Sequence, residues 1–228
     1  MKKFIAIGLL VILATVTSFA QESKNFSVSG FNKLALGSAF KIEVKQGNNF
    51  SVTTTGRSED LNDLEANVSG GTLKLNYKGN NWNKNRKTVT VSITMPNLQG
   101  VRFSGASTAN VAKFSGVKTM DIDVSGASRV TMELSAQKVA LDLSGASSLV
   151  LTGQCDVLNG EVSGASTFKG RDFPAKEVNI DASGASSAAV AANTTLHAEA
   201  SGASSIRYSG SVKDIHSSSS GAGSVKRD

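Results

Sequence analysis

The sequence predicts an all-β protein that folds as a parallel β-helix, a solenoid with rungs of about 19 residues. Three observations predict this fold. The tetrapeptide SGAS recurs at a nearly constant spacing, each copy follows residues that alternate between apolar and polar, and glycine (22 residues) is frequent whereas proline (2 residues) is rare. A period of two indicates strands with one buried face, and a fixed repeat indicates one structural unit per period.

The repeat defines the length of each rung. SGAS begins at Ser104, Ser125, Ser144, Ser163, Ser183 and Ser201, and a variant, SGAG, begins at Ser220. Successive copies are 21, 19, 19, 20, 18 and 19 residues apart. Leucine-rich repeats require a leucine pattern that is absent, and propeller blades require about twice this period. Strands stacked at about 4.8 Å in a solenoid fit the spacing, with regular repeats over residues 104–223.

The SGAS copies predict a stacked corner ladder. Glycine adopts a positive φ at a corner without steric cost, and serine hydroxyls bond to the backbone or to the serine one rung away. Alanine fits a tight column in which larger side chains would clash. The ladder residues are Ser104, Gly105, Ser125, Gly126, Ser144, Gly145, Ser163, Gly164, Ser183, Gly184, Ser201, Gly202, Ser220 and Gly221.

Residues 31–103 lack SGAS but still indicate strands. Candidate strands are Phe40–Val44, Phe50–Thr54, Thr72–Tyr77 and Val89–Met95. We expect this part to form less regular rungs that cap the solenoid, because an open end exposes strand edges and apolar core. Residues 21–30 are expected to be a loose lead-in segment. Residues 217–228 are expected either to form a last, weak rung or to fray.

Residues 1–20 have the pattern of a secretory signal peptide. Lys2 and Lys3 precede an apolar stretch from Phe4 to Val16, and a small-x-small cleavage site ends at Ala20. We therefore expect an exported protein, in the periplasm or at the cell surface, with no stable membrane span after cleavage. Export also argues against nucleic acid as a partner. Cys155 is the only cysteine, so no internal disulfide is possible, and we expect its side chain to be buried.

Two features resemble a known family. They are the repeated VSGAS and the run TMPNLQGVRFSGAS at Thr94–Ser107. They resemble the head GIN domain family of exported Bacteroidota proteins, whose members are described as putative auto-transporter adhesins. The opening stretch Phe31–Gln46 is also similar, so the domain is expected to span residues 31–228. The resemblance implies a right-handed parallel β-helix and carries over no catalytic or ligand residue.

A row of carboxylates lies two residues before successive motif copies. Its members are Asp123, Asp142, Glu161, Asp181 and Glu199. On stacked rungs they would lie roughly 5 Å apart and repel one another. One interpretation is a solvated face, screened by salt or offset by basic side chains such as Arg129, Lys138, Lys176 or Arg207. The other is a site for a divalent cation such as Ca²⁺, which prefers oxygen ligands. We expect no other cofactor.

Two further sets of residues are weaker candidates. His197 and His216 occupy the same position in the last rungs, but two histidines without a firm third ligand are a poor metal site, and no metal is predicted. The basic segment 76–87 contains Tyr77 and Trp82, whose rings could stack on a sugar. The alternative is a solvated loop with a half-packed tryptophan.

The favoured function is an exported, non-catalytic adhesin or structural module that binds an envelope protein or a glycan. The alternative is a polysaccharide-degrading β-helix enzyme, which would need long insertions that wall a cleft and converging acids and bases. Repeat lengths of 18 to 21 residues leave little chain for such walls. Stacking of uncapped ends would also allow a homo-oligomer.

Overall fold

The computed structural model describes residues 21–79 and 85–228, which form a β-solenoid of about seven turns, as the repeat predicts. The predicted signal peptide lies outside the described residues. One short helix, α1 (Ser58–Asn62), interrupts the strands. The strands are β1 (Glu22–Phe26), β2 (Lys33–Leu36), β3 (Lys41–Gln46), β4 (Ser51–Gly56), β5 (Leu64–Ser69), β6 (Thr72–Tyr77), β7 (Thr90–Met95), β8 (Gly100–Phe103), β9 (Thr108–Val124), β10 (Arg129–Leu143), β11 (Ser148–Val162), β12 (Thr167–Ala182), β13 (Ser187–Ala200), β14 (Ser205–Ser209), β15 (Asp214–Ser219) and β16 (Ser224–Arg227).

Each rung contributes one strand segment to each of two faces. Face A consists of the segments that precede a motif copy: β2, β8, the C-terminal ends of β9–β13, and β15. Face B consists of the segments that follow a copy: β3, the N-terminal ends of β9–β13, β14 and β16. All of these pairings are parallel, so equivalent positions in successive repeats lie next to each other.

The two faces share one hydrophobic core. Side chains alternate along the segments, so that Val130, Met132 and Leu134 of β10 are buried while Thr131 and Glu133 face outward. Cys155 is buried in this core, as predicted. Its burial raises the pKa of the thiol to about 12, and the nearby Asp156 carboxylate acts in the same direction. The thiol is therefore protonated at neutral pH.

The predicted corner ladder is built from stacked peptide groups. The motif glycines have φ between 65° and 76°. In each rung the alanine N–H donates to the carbonyl oxygen of the glycine one rung earlier, as Ala146 does to Gly126 at 2.8 Å and Ala165 to Gly145 at 2.7 Å. A Cβ on Gly145 would lie 2.6 Å from that Gly126 oxygen. Glycine is thus required both by its conformation and by the close approach of the next rung.

The fourth residue of the motif points into the core. The six SGAS copies bury this serine to between 1% and 3% exposure, at Ser107, Ser128, Ser147, Ser166, Ser186 and Ser204. Ser186 donates to the Val162 carbonyl oxygen at 2.9 Å, and Ser204 donates to that of Ala182 at the same distance. Neighbouring hydroxyls also meet, since Ser147 Oγ and Ser166 Oγ are 3.3 Å apart. The motif therefore supplies a buried column of hydroxyls as well as the exposed corner.

A degenerate corner precedes the first SGAS copy. The Ser104 N–H donates to the Leu36 carbonyl oxygen at 3.1 Å, and the Thr108 N–H donates to that of Phe40 at 2.9 Å, so residues 37–40 underlie Ser104–Ser107. Ser38 and Ala39 have positive φ values of 69° and 60° without being glycine. Phe40 occupies the position of the buried serine and is 1% exposed. The sequence search missed this corner because Gly37-Ser38-Ala39 has the same small residues in a different order.

An antiparallel cap covers the N-terminal end. β6 and β7 form a rung that pairs in parallel with β2 and β3. β4 then adds to β7, β1 to β4, and β5 to β6, all in antiparallel orientation. The expectation of capping strands is met, but that of a loose lead-in is wrong for residues 22–26. β1 is ordered because all five of its residues pair with β4 and cover that edge.

The C-terminal end is formed by a thin last rung. Residues 217–228 do not fray, because they include the end of β15 and all of β16, paired with β13 and β14. All six residues of β15 are exposed, and Ile215, at 40% exposure, is the one large hydrophobic side chain exposed among the described residues. Association of two copies through this edge stays a prediction.

The corner glycines allow a matched test of rung stacking. Gly145 and Gly116 have φ values of 73° and 72°, but a Cβ at Gly116 would meet no atom within 4 Å. We expect Gly116→Ala to lower the free energy of unfolding by about 1 kcal/mol, the cost of a positive φ. We expect Gly145→Ala to lower it by about 3 kcal/mol, because the Cβ also separates two rungs. Urea unfolding followed by circular dichroism measures both, and equal losses would contradict the stacking argument.

The buried serines allow a second matched test. Ser128 Oγ is as buried as Ser186 Oγ, but it has no hydrogen-bond partner among the described residues. We expect Ser186→Ala to lower the free energy of unfolding by about 1 kcal/mol and Ser128→Ala to leave it unchanged or raise it. The same urea titration distinguishes the two variants. A larger loss at Ser128 than at Ser186 would refute the assignment of the hydrogen bonds.

Candidate binding surfaces on the two faces

The structure brings the predicted carboxylates together in one row on face A. The register places Asp123 beside Asp142, Asp142 beside Glu161, Glu161 beside Asp181, and Asp181 beside Glu199. We call these five residues the acidic row. The next residue in the same column is Ser218 of β15. Because the side chains alternate along each strand, every member of the acidic row points outward.

Basic residues from the first rungs neutralise one end of this surface. Arg102 Nε lies 2.7 Å from Asp123 Oδ2, and Lys33 Nζ lies 3.2 Å from an oxygen of Asp121, which belongs to the neighbouring outward column. Three of the bases proposed from the sequence lie elsewhere, and one of them, Arg129, is on face B at the start of β10. Lys176 pairs with Asp156 at 2.7 Å, which raises its pKa, and Arg207 lies on face B.

A shallow groove of about 370 Å³ runs along the acidic row. It exists because the adjacent outward column contains Ala140, whose side chain is short. Amides line its other side, where Asn179 Nδ2 donates to Asn159 Oδ1 and to Glu177 Oε1, both at 2.9 Å. The groove therefore offers mainly oxygen acceptors from a single face.

The cation hypothesis gains no ligand cluster from this geometry. Within residues 21–79 and 85–228, no three His, Cys, Asp or Glu side chains converge closely enough to hold a metal ion. A row along a flat sheet places neighbouring carboxylates side by side, whereas a calcium site surrounds the ion with six to eight oxygens. Calcium binding by the acidic row stays a prediction.

The two histidines stack directly on each other in the last rungs. The rings of His197 and His216 are 4.8 Å apart between centroids and 7° from parallel. His216 Nε2 also lies 3.1 Å from Asp214 Oδ1. Stacking places the two rings face to face at the spacing of neighbouring rungs.

The proposed glycan contact falls partly outside the structure. Trp82 lies outside the described residues. Tyr77 is half-buried in the cap, where its ring contacts the Phe40 ring at 5.4 Å and the Arg86 guanidinium at 4.0 Å. Burial raises the pKa of Tyr77. The Tyr77 ring is thus engaged within the protein, which argues against a role in stacking on a sugar.

Face B carries a basic column that the sequence analysis did not identify. The outward residues three positions after successive motif copies are Thr131, Val150, Lys169, Ala189, Arg207 and Lys226, in continuous register. The signal in the sequence is weak, because a basic residue occupies the third position after the motif in only three of these six repeats. We call Lys169, Arg207 and Lys226 the basic column. The acidic row and the basic column therefore lie on different faces of the solenoid.

Like-charge repulsion along the acidic row is measurable by removing one central charge. We expect Asp142→Asn to raise the melting temperature by roughly 1–2 °C at low salt, because Asp142 has two acidic neighbours and no ion pair among the described residues. This rise in melting temperature should vanish at high salt, because salt screens the repulsion. Asp123→Asn should not raise the melting temperature, since it removes the ion-pair partner of Arg102.

The same pair of proteins tests the cation hypothesis. If the row binds Ca²⁺, millimolar CaCl₂ raises the melting temperature of the unmodified protein, and Asp142→Asn abolishes that rise. No rise in the unmodified protein would dispose of calcium binding.

Comparison with known proteins gives a family and a set of similar folds. The family model described as "Putative auto-transporter adhesin, head GIN domain" matches residues 30–212. A putative adhesin from Bacteroides fragilis is 21% identical with a TM-score of 0.81, and the match covers 92% of this chain and 98% of that one. A putative adhesin from Parabacteroides distasonis is 18% identical with a TM-score of 0.72 and coverage of 92% and 98%. A third structure, described as a putative lipid binding protein from P. distasonis, is 19% identical with a TM-score of 0.67 and coverage of 91% and 96%.

At these identities the structural likeness concerns the fold alone. No curated protein matches the chain. In the described part of the chain, no helix is long and apolar enough to cross a membrane.

Proposed function

Because this chain belongs to the head GIN domain family of putative auto-transporter adhesins, we propose that it is an exported, non-catalytic solenoid that binds an envelope protein or a glycan through its long faces. The family assignment confirms the resemblance of TMPNLQGVRFSGAS and the VSGAS repeats. One observation carries the proposal. Parallel register over successive rungs arranges outward side chains in straight columns, so that side chains of like charge from separate rungs share one surface.

Such a surface suits an extended ligand. In a solenoid each rung packs only against its neighbours, and the stacked rungs form a long, preorganised contact area. The inward side chains and the corner peptides hold the rungs together, so the outward columns are free to vary without loss of the fold. A rigid surface loses little conformational entropy when a ligand binds.

The carboxylate geometry favours binding over glycoside hydrolysis. A glycosidase requires two carboxyl groups that flank the bond to be cleaved, on opposite sides of the sugar. The acidic groove draws all of its carboxylates from one sheet face, and Arg102 and Lys33 already pair with two of them. Export rests on the pattern of residues 1–20 and on the adhesin description of the family.

A lipid-binding role has less support from this surface. A lipid tail needs contiguous exposed apolar area. Ile215 is the one exposed large hydrophobic side chain in the described part of the chain, and it lies at the last rung, away from the groove along the acidic row. The description of one structural neighbour as lipid binding therefore finds no matching feature here.

Binding and hydrolysis are separated by measuring both on one panel of polysaccharides. We expect saturable binding to at least one immobilised glycan by biolayer interferometry, with no release of reducing ends during prolonged incubation. The double variant Asp142→Asn/Glu161→Gln is the matched control for catalysis, because it removes two central carboxylates of the acidic groove. Release of reducing ends that this variant abolishes would establish the enzyme alternative instead.

A further inference from the structure

The basic column on face B borders a groove of its own. The register places Ala189 between Lys169 and Arg207, and Lys226 follows Arg207. Because alanine replaces a long side chain at this one rung, the two cationic residues flank a gap of two rung spacings, or roughly 9.5 Å between backbone positions. The resulting groove has a volume of about 380 Å³.

The lining of this groove combines positive charge with hydroxyl groups. Lys169, Arg171 and Arg207 line it, together with the Asp172 carboxylate. Thr167 and Ser187 lie next to each other on its edge, and Ser205 continues their column. The floor is small and weakly apolar, since it is formed around Val150 and Ala189. The groove can therefore pair with anionic groups and exchange hydrogen bonds with hydroxyls at the same time.

An internal carboxylate already occupies the arginine end of the groove. Asp228 Oδ1 lies 2.8 Å from Arg171 Nη2 and 3.8 Å from Arg207 Nη1. This contact shows that the two guanidinium groups are placed to receive one carboxylate between them. Lys169 and Lys226 make no ion pair among the described residues, so positive charge remains available on both sides of that contact.

We propose that the face B groove binds an acidic polysaccharide, with Lys169 and Arg207 pairing with its carboxylate or sulfate groups and Thr167 and Ser187 contacting its hydroxyls. The proposal rests on the binding function proposed above and names its ligand class. An acidic polysaccharide carries charges and hydroxyls at regular intervals, which matches columns of both kinds that repeat with the rungs.

Two other polyanionic partners fit this groove less well. Single-stranded nucleic acid gains most of its affinity from bases stacked on aromatic side chains, and the one aromatic residue that lines the groove, Phe168, is 1% exposed. An anionic membrane would require apolar side chains that enter the bilayer interface, and the floor offers only Val150 and Ala189. The hydroxyl column favours a sugar over both.

The first experiment removes the two flanking charges. Binding of the purified protein to polygalacturonate and to heparin is measured by biolayer interferometry, with dextran as the uncharged probe and single-stranded DNA as the competing polyanion. We expect Lys169→Ala/Arg207→Ala to weaken binding to an acidic polysaccharide about tenfold. Both side chains are exposed, so the fold should persist, which circular dichroism verifies. Binding of the unmodified protein should also weaken with added salt.

The matched control removes two positive charges that lie outside the groove. Lys118→Ala/Lys138→Ala deletes two exposed lysines of β9 and β10, away from the groove, and should leave affinity within twofold of the unmodified protein. If both double variants weaken binding equally, net charge alone explains the effect, and the proposal that the groove binds the polysaccharide is refuted. Tighter binding to DNA than to either acidic polysaccharide would also overturn the proposal.

A third variant is expected to increase the affinity for the polysaccharide, a result that unfolding of the protein cannot produce. Asp228→Asn removes the internal carboxylate that competes for Arg171 and Arg207 and should tighten polysaccharide binding about threefold. Weaker binding by this variant would contradict the competition. The glycan panel distinguishes failure of this proposal from failure of the proposed function. If the protein binds other glycans equally well with and without Lys169 and Arg207, the binding function stands and only the groove proposal is refuted. If it binds no glycan of the panel, both are refuted.

Discussion

The contact between corner peptides of successive rungs is the constraint on which the rest of the molecule depends. An alanine N–H donates to the glycine carbonyl one rung earlier at 2.7–2.8 Å from Ala127 to Ala222. A Cβ on the stacked glycines from Gly126 to Gly202 would lie 2.4–3.0 Å from that oxygen. This approach fixes each rung relative to the last, because a shift by one residue would replace glycine with alanine at the contact. Register then decides which side chains form columns, and the columns decide what the surface can bind.

The repeating part of the chain was predictable because the same physical signal occurs seven times. The SGAS copies located the corners, and alternation before them located the outward carboxylates of face A. The antiparallel cap was harder to predict from the sequence. Only the candidate strands that became β3, β4, β6 and β7 were identified, because the antiparallel pairing of β1 with β4 and of β5 with β6 occurs once and leaves no periodic trace. The corner at Ser38 was hidden by two positive φ values at residues other than glycine.

The two faces show why a sequence repeat predicts columns of side chains more readily than it predicts binding sites. The acidic row is obvious in the sequence because nearly every repeat contributes a carboxylate. The basic column is not, because Val150 and Ala189 interrupt it, and yet the alanine creates the groove between Lys169 and Arg207. An interruption in a column is where a solenoid surface acquires concavity. Ala140 has the same effect beside the acidic row.

The inward columns explain how the solenoid tolerates two unlike ends. At the position before each corner, the chain places Phe103, Val124, Leu143, Val162, Ala182, Ala200 and Ser219 on successive rungs. The side chains shrink toward the last rung and finally become polar. Large apolar residues near the N-terminal end require the antiparallel cap, since exposing them to water costs about 25 cal/mol per Å². At the last rung, Ser217 and Ser219 occupy the inward positions and expose little apolar area. These inward positions can therefore contact water without being covered by further strands. The last rung is held by backbone hydrogen bonds to β13 and β14 and by the ion pairs of Asp228 with Arg171 and Arg207, rather than by burial of large side chains.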